Sequence, residues 1–265
     1  MSRLRLLAAA LFALYLGTSC LGTAAAHAES VLDTVTKRGT LIVGISLGTP
    51  PFGITNSDMQ PDGYDVGIAK LLARDLGVKL QIQDIVASAR VPSITAGKVD
   101  IVISSFSITA ERAKTIAFSN PVYIDQQVML APKSVALAGL ADMKGKRIGV
   151  TRSSTNDIVV TKLAPPGTTI QRYDDDASTN QAMLAGQIDG MVTSAGLAKV
   201  LSTRTATLET KFVVSQAPMA VGLRIDDPEW LHWINTALFL DWTNHDIPAL
   251  QDKWFGNVNA SLPAF

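Results

Sequence analysis

The strongest restriction on the fold of this chain is an alternation, made twice, of short apolar runs with amphipathic stretches. Leu41-Ile42-Val43-Gly44-Ile45 reads as a buried strand. From Gly63 to Leu76 the spacing turns helical. Ile68, Leu71, Leu72 and Leu76 fall on one face, only Asp75 breaks it, and Gly77 stands where helices stop. Val78, Leu80 and Ile82 then alternate with polar residues, a helix is expected around Arg90–Ala96, and Asp100–Ser104 reads as the next strand. Such a βαβαβ order calls for parallel strands with helices on the sheet faces.

A second set follows in the same order without visible sequence repetition. It comprises a strand over Lys146–Val150, a helix from about Thr155 stopped by Pro165-Pro166, and a strand over Thr168–Tyr173. A helix over Ser178–Ala185 closed by Gly186 and a strand over Asp189–Thr193 complete it. Two α/β lobes are expected. Asp227-Pro228-Glu229 opens a further helix with a cap, a proline in the first turn and an acid. Its stripe of Trp230, Leu231, Ile234, Ala237 and Leu238 is read as core.

The first residues do not fit this pattern. Arg3 and Arg5 precede an apolar run from Leu6 to Leu16, and Ala24-Ala25-Ala26-His27-Ala28 supplies an A-x-A-like cleavage site. Residues 1–28 therefore read as a secretory signal peptide cut after Ala28, with an apolar run too short to remain as a membrane span. Cys20 invites comparison with a lipoprotein signal, but Gly17 stands where leucine is wanted, so the unanchored, periplasmic form is preferred. Taking away these 28 of 265 residues removes two arginines and no acid, leaving 21 basic against 23 acidic residues. That balance gives no basic footprint, so no nucleic-acid partner is expected. Loss of the only cysteine, with His232 and His245 the only histidines left, removes disulfides, Cys-based metal sites and most His-dependent catalysis. Neither a metal nor a cofactor is expected.

Five segments resemble the extracellular solute-binding proteins of family 3, the polar amino-acid receptors of ABC importers. They are RGTLIVGISLGTPPFG (38–53), GYDVGIAKLLARDLGVKL (63–80), ITAGKVDIVISSFSITAERAKTIAFSNPVY (94–123), LADMKGKRIGVTRSST (140–155) and KWFG (253–256). The resemblance runs colinearly over nearly the whole mature chain and is closest in style to glutamate/aspartate-type members. It implies the type II periplasmic-binding-protein fold, two α/β lobes joined by a two-strand hinge with the ligand cleft between them. Lobe 1 would hold residues 29–127 and 221–265, and lobe 2 residues 128–220, with hinges near Gln127–Pro132 and Ala217–Gly222. Closure about two such connections buries a ligand between lobes. The implied partners are a small amino acid or related organic acid and a membrane ABC permease, with the receptor a monomer.

The same resemblance implies the site. Arg112, five residues beyond Ser107, would hold the ligand α-carboxylate with Ser105 and Ser107 beside it, a role suited to the guanidinium fork. Ser154 and Thr155 open a helix after a strand, where free N–H groups favour an anion. Arg90, in Arg-Val-Pro, would reach a side-chain carboxylate as in the acidic subclass, and Phe52 would cover the ligand's apolar part. Two positions depart from the family. Ser194 stands where an aspartate usually meets the α-amino group, and Thr49 lies near the place of an aromatic that stacks on basic ligands. A buried ammonium needs acceptors. Either Ser194 and carbonyls suffice, Asp176 substitutes, or the ligand lacks an α-amino group. The alternative to a receptor is an enzyme resembling the periplasmic cyclohexadienyl dehydratases on this fold, which needs a buried acid such as Glu111 or Asp176.

Overall fold

A computed structural model of the chain describes residues 29–256 and Val258. The segment read as a signal peptide, with Cys20, lies outside the described residues. The first set of elements is α1 (Val31–Arg38), β1 (Thr40–Ile45), the short β2 (Gly48–Thr49), β3 (Gly53–Thr55) and β4 (Pro61–Asp62), α2 (Tyr64–Leu76), β5 (Lys79–Asp84), α3 (Arg90–Thr95), β6 (Ile101–Val102) and β7 (Ile116–Pro132). The second is β8 (Arg147–Thr151), α4 (Thr155–Leu163), β9 (Thr169–Tyr173), α5 (Asp176–Leu184), β10 (Gly190–Ser194), α6 (Ala195–Arg204) and β11 (Leu208–Arg224), followed by α7 (Pro228–Thr243) and α8 (Asp246–Phe255).

Eight strands form one sheet in the order β5-β1-β6-β11-β7-β10-β8-β9. At the two ends the pairs β1–β5, β1–β6, β8–β9 and β8–β10 are all parallel. The middle is different. β7 and β11 have 17 residues each and pair antiparallel from Ile116↔Arg224 to Pro132↔Leu208. At about 3.4 Å per residue such strands run through both ends of the sheet. β11 meets β6 at Gly222↔Val102, while β7 meets β10 from Gln127↔Ser194 to Leu130↔Met191. The result is two α/β lobes sharing two long central strands.

The two lobes have different cores. Around the first, Phe52, Tyr64, Tyr123 and Phe255 form an aromatic cluster with Trp230 and the apolar faces of α2 and α7. Trp230, Ile234, Ala237 and Leu238 are buried, as the sequence stripe requires. The Tyr64 hydroxyl and Gln251 Nε2 both donate to the Val122 carbonyl, at 2.6 and 2.9 Å, which fixes α8 against β7. The second lobe is packed mainly by aliphatic side chains on both sheet faces, Met183, Ile188 and Leu197 on one and Met143, Ile148 and Val160 on the other.

Local chemistry sets the ends that matter for the site. α2 starts at Gly63, whose φ of 124° and approach to the Phe52 carbonyl (2.3 Å from an added Cβ) leave no room for another residue. β6 is shorter than the expected Asp100–Ser104, because the chain turns at Ser105, φ 45°, into the loop that carries Ser107 and Arg112.

Candidate functional site

The carboxyl ends of β1, β6, β8 and β10 face one another across the middle of the sheet, and the polar residues predicted from the sequence gather there. From the first lobe comes the loop after β6. Its turn is held by Asp65, in the first turn of α2, which accepts the Ser105 N–H at 2.7 Å. Burial pushes the Asp65 carboxyl up to about 7, against the opposing pull of that N–H and of Arg90.

Phe106 sits under two guanidinium groups, Arg112 at 4.8 Å and Arg90 at 5.6 Å from its ring centre. Arg112 donates through Nη1 to the Ser107 carbonyl at 2.7 Å and to Thr155 Oγ1 at 3.1 Å. Through Nη2 it donates to the Ser153 carbonyl at 3.1 Å. It thus joins the loop of the first lobe to the start of α4 in the second. Burial, then the charge of Arg90, lowers its pKa to about 9. Arg90 is 5% exposed and its Nε has no hydrogen-bond partner. Burial lowers its pKa too, opposed by Asp176 and Asp65.

The second lobe supplies helix starts. Ser154 caps α4 by accepting the Asp157 N–H at 3.1 Å, and Ser194 caps α6 by accepting the Leu197 N–H at 3.0 Å. Asp176 opens α5 and accepts from Thr151 Oγ1 and, across the lobes, from Thr49 Oγ1 at 2.6 Å.

Arg90, Ser105, Ser107, Ser154, Thr155, Asp176 and Ser194 line one small polar cavity of about 30 Å³. Arg112 borders it through its bonds to Ser107 and Thr155. Phe52 does not belong to it. Its side chain is fully buried in the aromatic core beside Tyr123 and Phe255, because the loop after Pro51 folds back over α2. Glu111 also lies apart, its side chain 80% exposed and paired with Lys114. Sequence reading missed Asp125, Gln127 and Thr193, which line the same cavity. The signal for Asp125 was an acid two residues after Tyr123, inside a stretch otherwise suited to a strand. A larger open cavity of about 760 Å³ lies against α6 and α8; Asp125 lines it too, beside Lys199 and Arg204, but it holds none of the residues predicted from the sequence.

Comparisons with known proteins agree with this geometry. Residues 41–257 match the family described as bacterial extracellular solute-binding proteins, family 3. The chain is 30% identical over 232 residues to the L-cystine-binding protein TcyJ of Escherichia coli, covering 86% of this chain and 87% of that one. It is 28% identical over 218 residues to the ABC transporter arginine-binding protein 1 of the same organism, covering 80% and 89%. Among solved structures, an ancestral amino acid-binding protein, AncCDT-1, described as a precursor of cyclohexadienyl dehydratase, superposes with a TM-score of 0.78 at 30% identity. That match covers 86% of this chain and all of that one. Two lobes on shared central strands, a charged loop after β6 and a family match over nearly the whole described chain agree, and the protein belongs to the bacterial extracellular solute-binding proteins of family 3.

Proposed function

We propose that this protein is the periplasmic receptor of an ABC importer, a monomer that captures a small carboxylate-bearing amino acid, glutamate or aspartate in type, and hands it to a membrane permease. The observation that carries this reading is a pair of buried guanidinium groups beside one polar cavity, Arg90 having an unpartnered Nε. Arg112 with Ser105 and Ser107 suits the α-carboxylate, and Arg90 suits a second carboxylate on the side chain. Thr155 and the start of α4 approach the same carboxylate from the other lobe, so binding favours closure. The lobes in this reading are residues 29–127 with 221–265, and 128–220.

The test is the melting temperature of the mature protein against amino acids and dicarboxylates, since a ligand that binds only the native state raises it. A rise with glutamate or aspartate is expected. Arg112→Ala should weaken that binding by about 30-fold or more, the cost of truncating one partner of a buried charge contact. Arg90→Ala should weaken acidic ligands more than neutral ones. No rise with any amino acid or dicarboxylate would overturn the proposal.

One observation favours a second reading, a dehydratase on the same fold. Asp125 is a buried carboxyl lining the cavity whose pKa burial pushes up to about 7, suited to delivering a proton. Turnover of prephenate or arogenate by the pure protein would establish that reading. Its absence, with binding intact, would remove it.

A further inference from the structure

Asp125 also carries a sharper inference. It lies on β7 opposite Ala217, is 2% exposed, lines the polar cavity, and its Oδ2 has no hydrogen-bond partner. A carboxylate so placed is costly unless a proton or a cation satisfies it. The groups that pull its pKa down are the backbone amides of Gln126, Ala195 and Gly196, and no side-chain cation acts on it. Arg90 and Arg112 converge instead on Phe106, where Asp176 and Asp65 are the acids that act on Arg90.

Two other polar atoms at this cavity are unpartnered, Arg90 Nε, which is a donor, and Asn156 Oδ1, which is a neutral acceptor, while its remaining acidic and capping groups are engaged. Ser194 spends its hydroxyl oxygen on the Leu197 N–H, and Asp176 accepts from a threonine on each oxygen. Asp65 lies beneath the Ser105 turn and does not line the cavity. Among the described residues, Asp125 alone combines a place in the cavity wall, near-complete burial and a free carboxylate oxygen. Guanidinium groups on one set of elements and a free acid on another make a cavity complementary to a zwitterion.

We propose that Asp125, rather than Ser194 or Asp176, receives the ammonium group of the ligand, so that the ligand is an α-amino acid and not its deaminated counterpart. This rests on the receptor reading above and adds the residue that reads the amino group. Near neutral pH the free carboxyl holds a proton for part of the time, and an arriving ammonium displaces it.

The test is calorimetric titration with paired probes, each amino acid that raises the melting temperature and the carboxylic acid of the same chain without its amino group, glutamate with glutarate and aspartate with succinate. Wild-type protein is expected to prefer the amino acid. Asp125→Asn should weaken the amino acid by about 30-fold or more and the deaminated acid by far less, so the surviving binding reports a folded site. In the double variant Asp125→Asn with Ser194→Asp, an acid returned to the same cavity should restore much of the preference. Equal losses for both probes in Asp125→Asn, or no loss for the amino acid, would overturn the inference. Wild-type binding of the deaminated acids alone would overturn it and leave carboxylate capture standing. Binding of neither class would overturn both.

Discussion

The lobe built on β5, β1 and β6 brings fixed charges to the cavity, whereas the lobe built on β10, β8 and β9 brings hydroxyls and helix starts. Arg90 and Arg112 are nearly buried and belong to the first, with Asp65 held beneath the Ser105 turn outside the cavity wall. The second contributes Ser154, Thr155 and Ser194, with Asp176 as its one acid in the cavity wall. Buried charges are costly to hold in place, and the lobe that holds them has the larger, more aromatic core and the support of α7 and α8. Capping hydroxyls come with helix starts and need no such support. One lobe thus carries the buried guanidinium groups, and the other sets capping hydroxyls against them.

The largest expected effect that would test this contrast is on stability. Phe52→Ala should cost about 3–5 kcal/mol in urea unfolding, typical of an aromatic core truncation. A loss no larger than for Leu197→Ala in the second core would remove the claim that the first lobe is the more strongly built. Next comes a change at the contact between lobes. Gly196, in α6, stands so close to the first lobe that an added Cβ would lie 3.0 Å from Pro51 and 3.3 Å from Phe52. Gly196→Ala should oppose the closed arrangement by about 1–3 kcal/mol, the usual range for overpacking, and appear as weaker ligand binding with a near-normal first-lobe core. Unchanged affinity would show that closure does not need this contact. The last effect concerns pH. The Asp65 carboxyl titrates near 7 when folded, against about 4 when unfolded, so its contribution is full below about 4 and is lost as pH rises through about 7. The free protein should therefore melt lower at pH 8 than at pH 5, and Asp65→Asn should flatten that slope. An unchanged slope would place the pH dependence elsewhere, Asp125 being the other buried carboxyl that titrates near 7.

Much of the scaffold could be read from the sequence, because buried strands and amphipathic helices write their periods into it. Helices expected from Gly63, Arg90 and Thr155 form where they were expected, and the double proline after Ala164 ends α4. The long central strands were harder. In β7, Asp125-Gln126-Gln127 interrupts the apolar run, and in β11 the stretch from Glu209 to Gln216 is mostly polar, so neither shows a clean strand period. Their pairing comes from each other, from Pro132↔Leu208 to Ile116↔Arg224, across a distance in sequence that no local pattern records. The site followed the same rule. Residues in a contiguous motif, Ser105, Ser107, Ser154 and Thr155, meet at one cavity. Phe52 misled because a phenylalanine in a loop does not announce which side its ring takes. Asp125 was missed because its meaning depends on Ser194, brought near it only when β7 pairs with β10.

The pairing of Pro132 with Leu208, and the bond from the Lys133 N–H to the Thr207 carbonyl at 2.8 Å, have a consequence for how the chain can be cut and spliced. Residues 133–207 leave and rejoin the molecule at neighbouring points, like a parenthesis in a sentence. A turn of a few residues from 132 to 208 would close the gap and leave β7 and β11 as one hairpin on the charged lobe. The enclosing lobe is in this sense a cassette whose exchange would keep the Arg112 bond to Ser107 and replace only its bonds to Ser153 and Thr155.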